Sequence, residues 1–469
     1  MSGLLVRAVA LGPDPGDRVD LRCDGGMVTD VAADLVPRRG ETVVVGATTA
    51  LPGLHDHHLH LLAMAARITS VDLGAPAVTD PAGLDRALRD ADRRLRPGVW
   101  LRAVGHDEST GGPLDRHRLD RLVAGRPVRV QDRSGHAWTL NSAAGDLVGL
   151  HCGPPGTELD DRGRPTGRLV DGDGWLADRL PAAPAPDLAP VGRRLSSLGV
   201  TGVTDATPTT TTAALGSLAD ARQSGALRQQ VTVMGEVESG ADTPEGLLLG
   251  PVKVMVADGS PPTVEALAAR FADAHRSGRP VAVHCVTRIA AVLAVAAWED
   301  AGVRTGDRME HGGVVPPELI GRLAALGITV VTQPAFVLER GDRYLTEVEG
   351  DDRPHLYPCA GLLSAGVPVG GSTDAPFGPD DPWVAMGAAV SRRARSGTVV
   401  GGGQAVAPAR ALRLFLSGPD APGGPARRLR TGVRADLCLL DCTLDVALRD
   451  LEARHVVATV AGGRLVHEG

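Results

Sequence analysis

Lysine is almost absent from this chain. Of 49 basic residues a single one, Lys253, is lysine, and the rest are arginine. Aromatic residues make up only 2%, which leaves no series of stacking platforms for single-stranded nucleic acid. The net charge of -7 provides no basic footprint for nucleic acid or for an anionic membrane. The six cysteines, Cys23, Cys152, Cys285, Cys359, Cys438 and Cys442, are scattered, and no CxxC pair occurs. That pattern excludes a disulfide frame and predicts free thiols in a reducing cytosol. No apolar run approaches a transmembrane span. The N-terminus lacks a basic segment followed by a long apolar one, so no signal peptide is expected. The expected location is cytoplasmic.

What is present is globular: 43% apolar and 22% charged residues over 469 positions, room for two or three domains. A chain this biased against lysine keeps one by chance or because arginine would fail there. Arginine fails where a deprotonatable, nucleophilic amine is needed. Lys253 alternates with Val252, Val254 and Val256 in a strand-like run, which argues against a leftover surface lysine.

Both ends of the chain read as β. Leu4 to Leu11, Val19 to Cys23, Met27 to Ala32 and Thr42 to Gly46 have strand composition, with Asp24-Gly25-Gly26 as a hairpin turn. Asp436 to Asp441 and Val456 to Val466 match them at the far end, the latter interrupted by Gly462-Gly463. One small β domain built from both termini is expected. The middle alternates strands and helices, the pattern of a parallel α/β fold. A His-rich strand is followed by Val200 to Ala206, Gln229 to Met234, Val252 to Ala257, Val281 to Val286, Asp307 to His311, Ile328 to Thr332 and Val367 to Thr373. Pro262 to Arg276, Thr287 to Glu299 and Pro316 to Leu326 read as intervening helices, with Thr263 as N-cap and Gly327 as C-terminal stop. Eight such strands predict a (β/α)8 TIM barrel. An open doubly wound sheet is the alternative, and the lack of a GxGxxG fingerprint counts against it. Residues 75–190 form an insertion after the first barrel strand, expected to cover the barrel mouth. It holds a helix from Pro81 to Leu95 capped by Asp80, a strand at Val128 to Val130, and a stiff linker from Pro181 to Pro186. The expected boundaries are 1–50 for the N-terminal β part, 51–406 for the barrel, and 407–469 for the return to the β domain.

The densest chemical signal is Leu51-Pro52-Gly53-Leu54-His55-Asp56-His57-His58-Leu59-His60-Leu61. Alternate residues of a strand share a face, so His58 and His60 project together, with Asp56 on the same side. Two neutral imidazoles can grip one transition-metal ion. A solvated His-rich loop is the plain alternative. Strand ends elsewhere add Lys253, His284, His311 and Asp374. Barrel active sites lie at the C-terminal ends of strands. Each residue alone is as well explained by a satisfied core; together they make a metal cluster.

The assembled motifs resemble the amidohydrolase superfamily of metal-dependent hydrolases, and within it the branch that includes N-substituted formamide deformylases. The likeness rests on Pro52-Gly53-Leu54-His55-Asp56-His57-His58-Leu59-His60, on Val252-Lys253 with Ala257-Asp258-Gly259-Ser260, and on Val283-His284 and Met309-Glu310-His311. Gln333-Pro334, Gly371-Ser-Thr-Asp-Ala-Pro376, Ser134-Gly135-His136 with Asn141, and Ala435-Asp436-Leu437 also match. It implies a barrel joined to a β-sandwich made of both termini. It also implies a first divalent ion on His58, His60 and Asp374, a second on His284 and His311, and a carboxylated Lys253 between them. Zinc suits the His and carboxylate ligands and is the expected metal, and iron or manganese can occupy similar sites. The implied activity is hydrolysis of a non-peptide, amide-type carbon–nitrogen bond of a small molecule by a metal-activated hydroxide. Asp374 would act as general base and then acid, and His136 would hold the substrate carbonyl or oxyanion, unless it is structural. His55 and His57 should pack on the opposite face, and Asp56 should orient the ligands. There are departures. His57 stands where serine is more frequent, Val286-Thr287-Arg288 replaces a Gly-Asp-Arg run and is one residue short, and Pro261-Pro262 replaces a loop with glycine and arginine. The alternatives are a deaminase of a heterocyclic amine, disfavoured by Lys253, and a catalytically inactive binding protein. Neither nucleic acid nor membrane is expected as a partner, and a homo-oligomer is left open.

Overall fold

The computed structural model describes residues 3–14, 16–181, 184–208, 210–235, 243–256 and 261–469. Two expected features lie outside them, the Ala257-Asp258-Gly259-Ser260 segment wholly and the proline-rich linker at Ala182-Ala183. The chain divides into two compact units, Leu62–Asp187 and the remainder, Met1–Leu61 with Leu188–Gly469.

In the larger unit, strands from both termini share one eight-stranded sheet. Its path runs Arg464–Glu468, Val456–Ala461, Leu437–Leu440, Thr49–Pro52, Leu4–Leu11, Val19–Asp24 and Met27–Ala32, with Thr42–Val44 beside Leu4–Leu11. Leu4, Val6, Val9, Leu21, Leu437 and Val460 pack together beneath it, so the two chain ends bury each other's apolar faces. Gly25 and Gly26 both have positive φ, which a two-residue hairpin demands. The same holds for Gly462 and Gly463. The single interrupted strand expected over Val456 to Val466 is therefore a hairpin of two strands, Val456–Ala461 and Arg464–Glu468.

The middle of the unit is parallel α/β. One sheet contains Leu54–Leu59, Val200–Asp205, Gln230–Val233 and Leu247–Leu249. A second contains Val252–Val254, Val281–Cys285, Arg308–His311, Thr329–Thr332 and Val369–Gly371. The expected barrel thus appears as a four-stranded and a five-stranded parallel sheet whose ladders do not close into one ring among the described residues. The break falls between Leu249 and Val252, where Gly250 and Pro251 turn the chain; the Gly250 amide donates back to Val233 and the Val252 amide to Pro280. At the opposite edge the Asp374 amide donates to the His58 carbonyl and the His60 amide to the Ala375 carbonyl, both at 2.8 Å. Those bonds draw the segment after Val369–Gly371 onto the end of the His-rich strand. Helices form where expected. Thr263 caps Val264–Arg276 by accepting from Ala266 N, Thr287 caps Arg288–Ala301 by accepting from Ala290 N, and Gly327 ends Pro317–Leu326 in the left-handed conformation.

The Leu62–Asp187 unit has its own six-stranded sheet and its own core. Helix Pro81–Arg94 starts on Asp80, which accepts from Gly83 N, and buries Leu84 and Leu88 one turn apart. Each fully buried leucine contributes about 1.5–3 kcal/mol. Asn141 caps Ser142–Val148 and also receives the Val128 amide, a structural role for a residue that the family resemblance had singled out. Among the described residues no helix is long and apolar enough to cross a membrane, and all six cysteines are free thiols.

Candidate metal centre

Every residue of Leu54–Leu59 is buried, so each polar side chain there needs a partner. His55 Nε2 lies 3.0 Å from Thr204 Oγ1, and His57 Nε2 lies 3.0 Å from Ser417 Oγ. Burial holds both imidazoles well below the usual histidine range, so they are neutral packing groups. Asp56 accepts from the His58 amide at 3.1 Å, from the Thr373 amide at 3.2 Å, and from the Thr373 hydroxyl. Burial pushes its carboxyl up to about 7 against the pull of those bonds. Asp56 thereby ties the His-rich strand to the segment that carries Asp374.

His58, His60, His311 and Asp374 come together. His58 Nε2 is 3.5 Å and His60 Nε2 3.2 Å from Asp374 Oδ1, and His311 Nδ1 is 3.9 Å from Asp374 Oδ2. The ring centroids of His58 and His311 are 4.8 Å apart, and those of His284 and His311 4.5 Å. A set of donor atoms from His58, His311 and Asp374 lies within 4.8 Å of one another. It therefore crosses the division into two ligand groups implied by the resemblance. Lys253 is buried on Val252–Val254, which pairs with the His284 strand Val281–Cys285, and it interacts electrostatically with His58, His311, Glu310 and Asp374.

Three residues that hold this arrangement carried no role in the sequence reading. Glu310 accepts from His58 Nδ1 and is itself held by Arg308 Nε at 2.5 Å. Burial opposes the Glu310 charge, yet Arg308 and His58 bring its carboxyl down to about 2. An anionic Glu310 keeps the proton of neutral His58 on Nδ1 and leaves Nε2 bare. Gln333 does the same for His311. Its Nε2 donates to Ser372 Oγ at 2.9 Å, so its Oε1 accepts from His311 Nδ1 at 2.8 Å. The Met309-Glu310-His311 and Gln333-Pro334 motifs were the only sequence signals of these roles.

The residues present suit a divalent cation. His311 Nε2 and Lys253 Nζ are fully buried and have no hydrogen-bond partner among the described residues. Burial depresses the Lys253 amine below its usual range, although Glu310 and Asp374 pull it back up. Burial also works against the Asp374 charge, but His60 and His58 hold this carboxyl below the usual range. His311 and Asp374 sit at strand ends with φ of 67° and 55°. Such left-handed conformations cost non-glycine residues of order 1–3 kcal/mol and cluster at functional sites.

His136 belongs to the Leu62–Asp187 unit. Its Nδ1 is 2.9 Å from Asp171 Oδ1, and its side chain is 45% exposed.

Comparison with known proteins agrees with this chemistry. Residues 48–467 match the amidohydrolase family (Amidohydro_3). An N-substituted formamide deformylase of Arthrobacter pascens is 28% identical, the match covering 94% of this chain and 92% of that protein. A metal-dependent hydrolase of uncharacterised activity from Pyrococcus horikoshii superposes with a TM-score of 0.75 at 21% identity, over 94% of this chain and 98% of that one. One from Pyrococcus furiosus gives 0.73 at 22%, over 94% and 99%. The chain belongs to the amidohydrolase family, and is a hydrolase acting on carbon–nitrogen bonds other than peptide bonds.

Proposed function

We propose that this chain is a cytoplasmic, metal-dependent amidohydrolase that cleaves an amide-type bond of a small molecule at the strand ends of a (β/α)8 barrel. The observation that carries the reading is a pair of buried, partnerless nitrogens, Lys253 Nζ and His311 Nε2, beside His58 and Asp374. The N-substituted formamide deformylase relative supports an amide substrate.

His58, His60 and Asp374 would hold one zinc ion, and His284 and His311 a second. Lys253, whose amine burial depresses below its usual range, would add through Nζ to carbon dioxide. The nitrogen–carbon bond would form with loss of a proton from Nζ, and the carbamate would supply anionic oxygen ligands for divalent cations. A divalent cation, when bound, lowers the pKa of water from about 15.7 toward about 7 and polarises a carbonyl oxygen. Glu310 and Gln333 hold Nδ1 of His58 and His311 and so leave the Nε2 of each ring bare. Asp374 takes a proton from the attacking water and returns it to the departing nitrogen as the carbon–nitrogen bond breaks.

The test is hydrolysis of formamides, acyl amides, carbamates and cyclic amides, with metal analysis of the same sample. Turnover of one class with up to two ions per chain is expected. Protein that holds no metal, gains none with zinc and turns over nothing would contradict the reading.

A further inference from the structure

Beyond the ends of the strands that carry His284 and His311 the larger unit contains a cavity of about 490 Å3. Its wall begins two residues beyond each of two candidate ligands. Val286, Thr287 and Arg288 follow the His284 strand, and Gly313 and Val314 follow the His311 strand. The third side is the segment from Tyr344 to Tyr357. It is fixed to the second loop by the Tyr357 amide, which donates to Gly313 O at 2.9 Å, and by pairing of Val314 with Leu356. The two loops pack directly on each other, since a Cβ on Gly313 would come within 2.4 Å of Val286 O.

The composition of the wall is selective. The chain has two tyrosines, and both line the cavity. Their hydroxyls are 3.2 Å apart, and their ring centroids 6.1 Å. Val286, Val314, Val348 and Leu356 make the remaining surface largely apolar. The charges on it are three carboxylates, Glu349, Asp351 and Asp352, against one guanidinium, Arg288. Arg288 is already paired with Asp352. Tyr357 is buried, so Tyr344 offers the accessible ring: an aromatic group gains from its face, a cation gains from that ring and from the carboxylates, and an anion meets net repulsion. Val286-Thr287-Arg288 is also where the chain departs from the family pattern.

We propose that this cavity is a specificity subsite that receives the non-reacting substituent of the substrate, an aromatic body with a positively charged rather than a negatively charged end. The assignment rests on the hydrolase reading above, and its test separates the two. The affinities of 2-phenylethylammonium and 3-phenylpropionate for the full-length protein are measured by calorimetry, without any reaction. The ammonium ion should bind roughly tenfold tighter. Tyr344→Ala should weaken it roughly fivefold, and Glu349→Gln with Asp351→Asn should shrink the preference over the anion. Tyr344→Leu, which keeps apolar volume without the ring, gives the same readout should the alanine variant fold poorly. Equal binding of the two probes, tighter binding of the anion, or indifference to Tyr344 would overturn the subsite. In turnover, Tyr344→Ala should lower kcat/KM for N-phenylethyl amides more than for N-methyl amides. An equal loss for both would overturn the subsite while leaving the hydrolase intact. A protein that hydrolyses no amide yet keeps the probe preference would sink the hydrolase reading instead.

Discussion

Glu310 Oε2 grips Nδ1 of His58 across 252 positions of sequence, and both side chains are fully buried. The same carboxylate is bound through its other oxygen by Arg308 Nε, and Arg308 Nη2 reaches on to the His57 carbonyl at 3.1 Å. A guanidinium, a carboxylate and an imidazole therefore form one chain that ends at the candidate metal position. Glu310→Gln keeps the size but removes the charge that fixes the His58 proton on Nδ1. Metal affinity is expected to fall about 10- to 100-fold, measured by titration with a competing chelator. Arg308 loses its buried counter-charge as well, so unfolding free energy should drop by about 3–5 kcal/mol. Unchanged affinity would mean that Glu310 serves Arg308 alone.

Close packing behind the His-rich strand gives a second prediction. A Cβ at Gly202 would lie 2.4 Å from His55 Nδ1, and His55 is already held by Thr204. Gly202→Ala is expected to cost about 1–3 kcal/mol by overpacking, seen as a lower Tm. A matching change at Gly216, where a Cβ meets nothing within 4 Å, should leave Tm unchanged or raise it.

His455 gives a pH dependence away from the site. Its Nδ1 is 3.0 Å from Asp441 Oδ1 and its Nε2 3.0 Å from Asp450 Oδ2. Burial opposes the charge, but the two carboxylates win and raise its pKa above the usual histidine value. A raised pKa means that the folded state binds the proton more tightly than the unfolded state. The stabilisation is complete below the ordinary pKa of about 6.5 and fades as pH rises through the folded value. Wild type should therefore exceed His455→Gln in Tm at acidic pH, and the gap should narrow toward alkaline pH. Solvent screens the pair, so the difference is small.

The cysteines should react unequally. Burial pushes the thiols of Cys23 and Cys438 up to about 12, so they remain protonated and inert at neutral pH. Cys152 is exposed. Brief alkylation of the native protein followed by peptide mass analysis should find Cys152 modified and Cys23 and Cys438 intact.

The strands were legible because their apolar, β-branched runs are long enough to be buried on both faces. Val200–Asp205, Arg308–His311 and Thr329–Thr332 lie within a residue or two of their expected limits. Leu247–Leu249 escaped notice because Gly250-Pro251 joins it directly to the Lys253 run, and three residues carry little periodicity. The cap residues Thr263 and Thr287 could be read because capping is local. Arg308 and Gln333 could not be read in the same way. The partner that gives Gln333 its meaning, His311, is 22 positions away, and the one that gives Glu310 its meaning is farther still. Single-sequence periodicity holds no information on such pairs. Nor could it show that His311 joins His58 and Asp374 within 4.8 Å, because that depends on rotamers at strand ends with positive φ.

Retention of function by an arginine at position 253 bears on the central proposal, since guanidinium keeps the charge but cannot form a carbamate. Lys253→Arg is expected to lose activity with its fold kept, and small carboxylic acids should restore part of the activity of Lys253→Ala. The most direct measurement is carbon-13 NMR of the zinc-loaded protein prepared in labelled bicarbonate, beside Lys253→Arg treated identically. One carbamate resonance per chain, absent from the variant, is the predicted result. A spectrum without that resonance, from a wild-type enzyme that is fully metallated and active, would contradict the account.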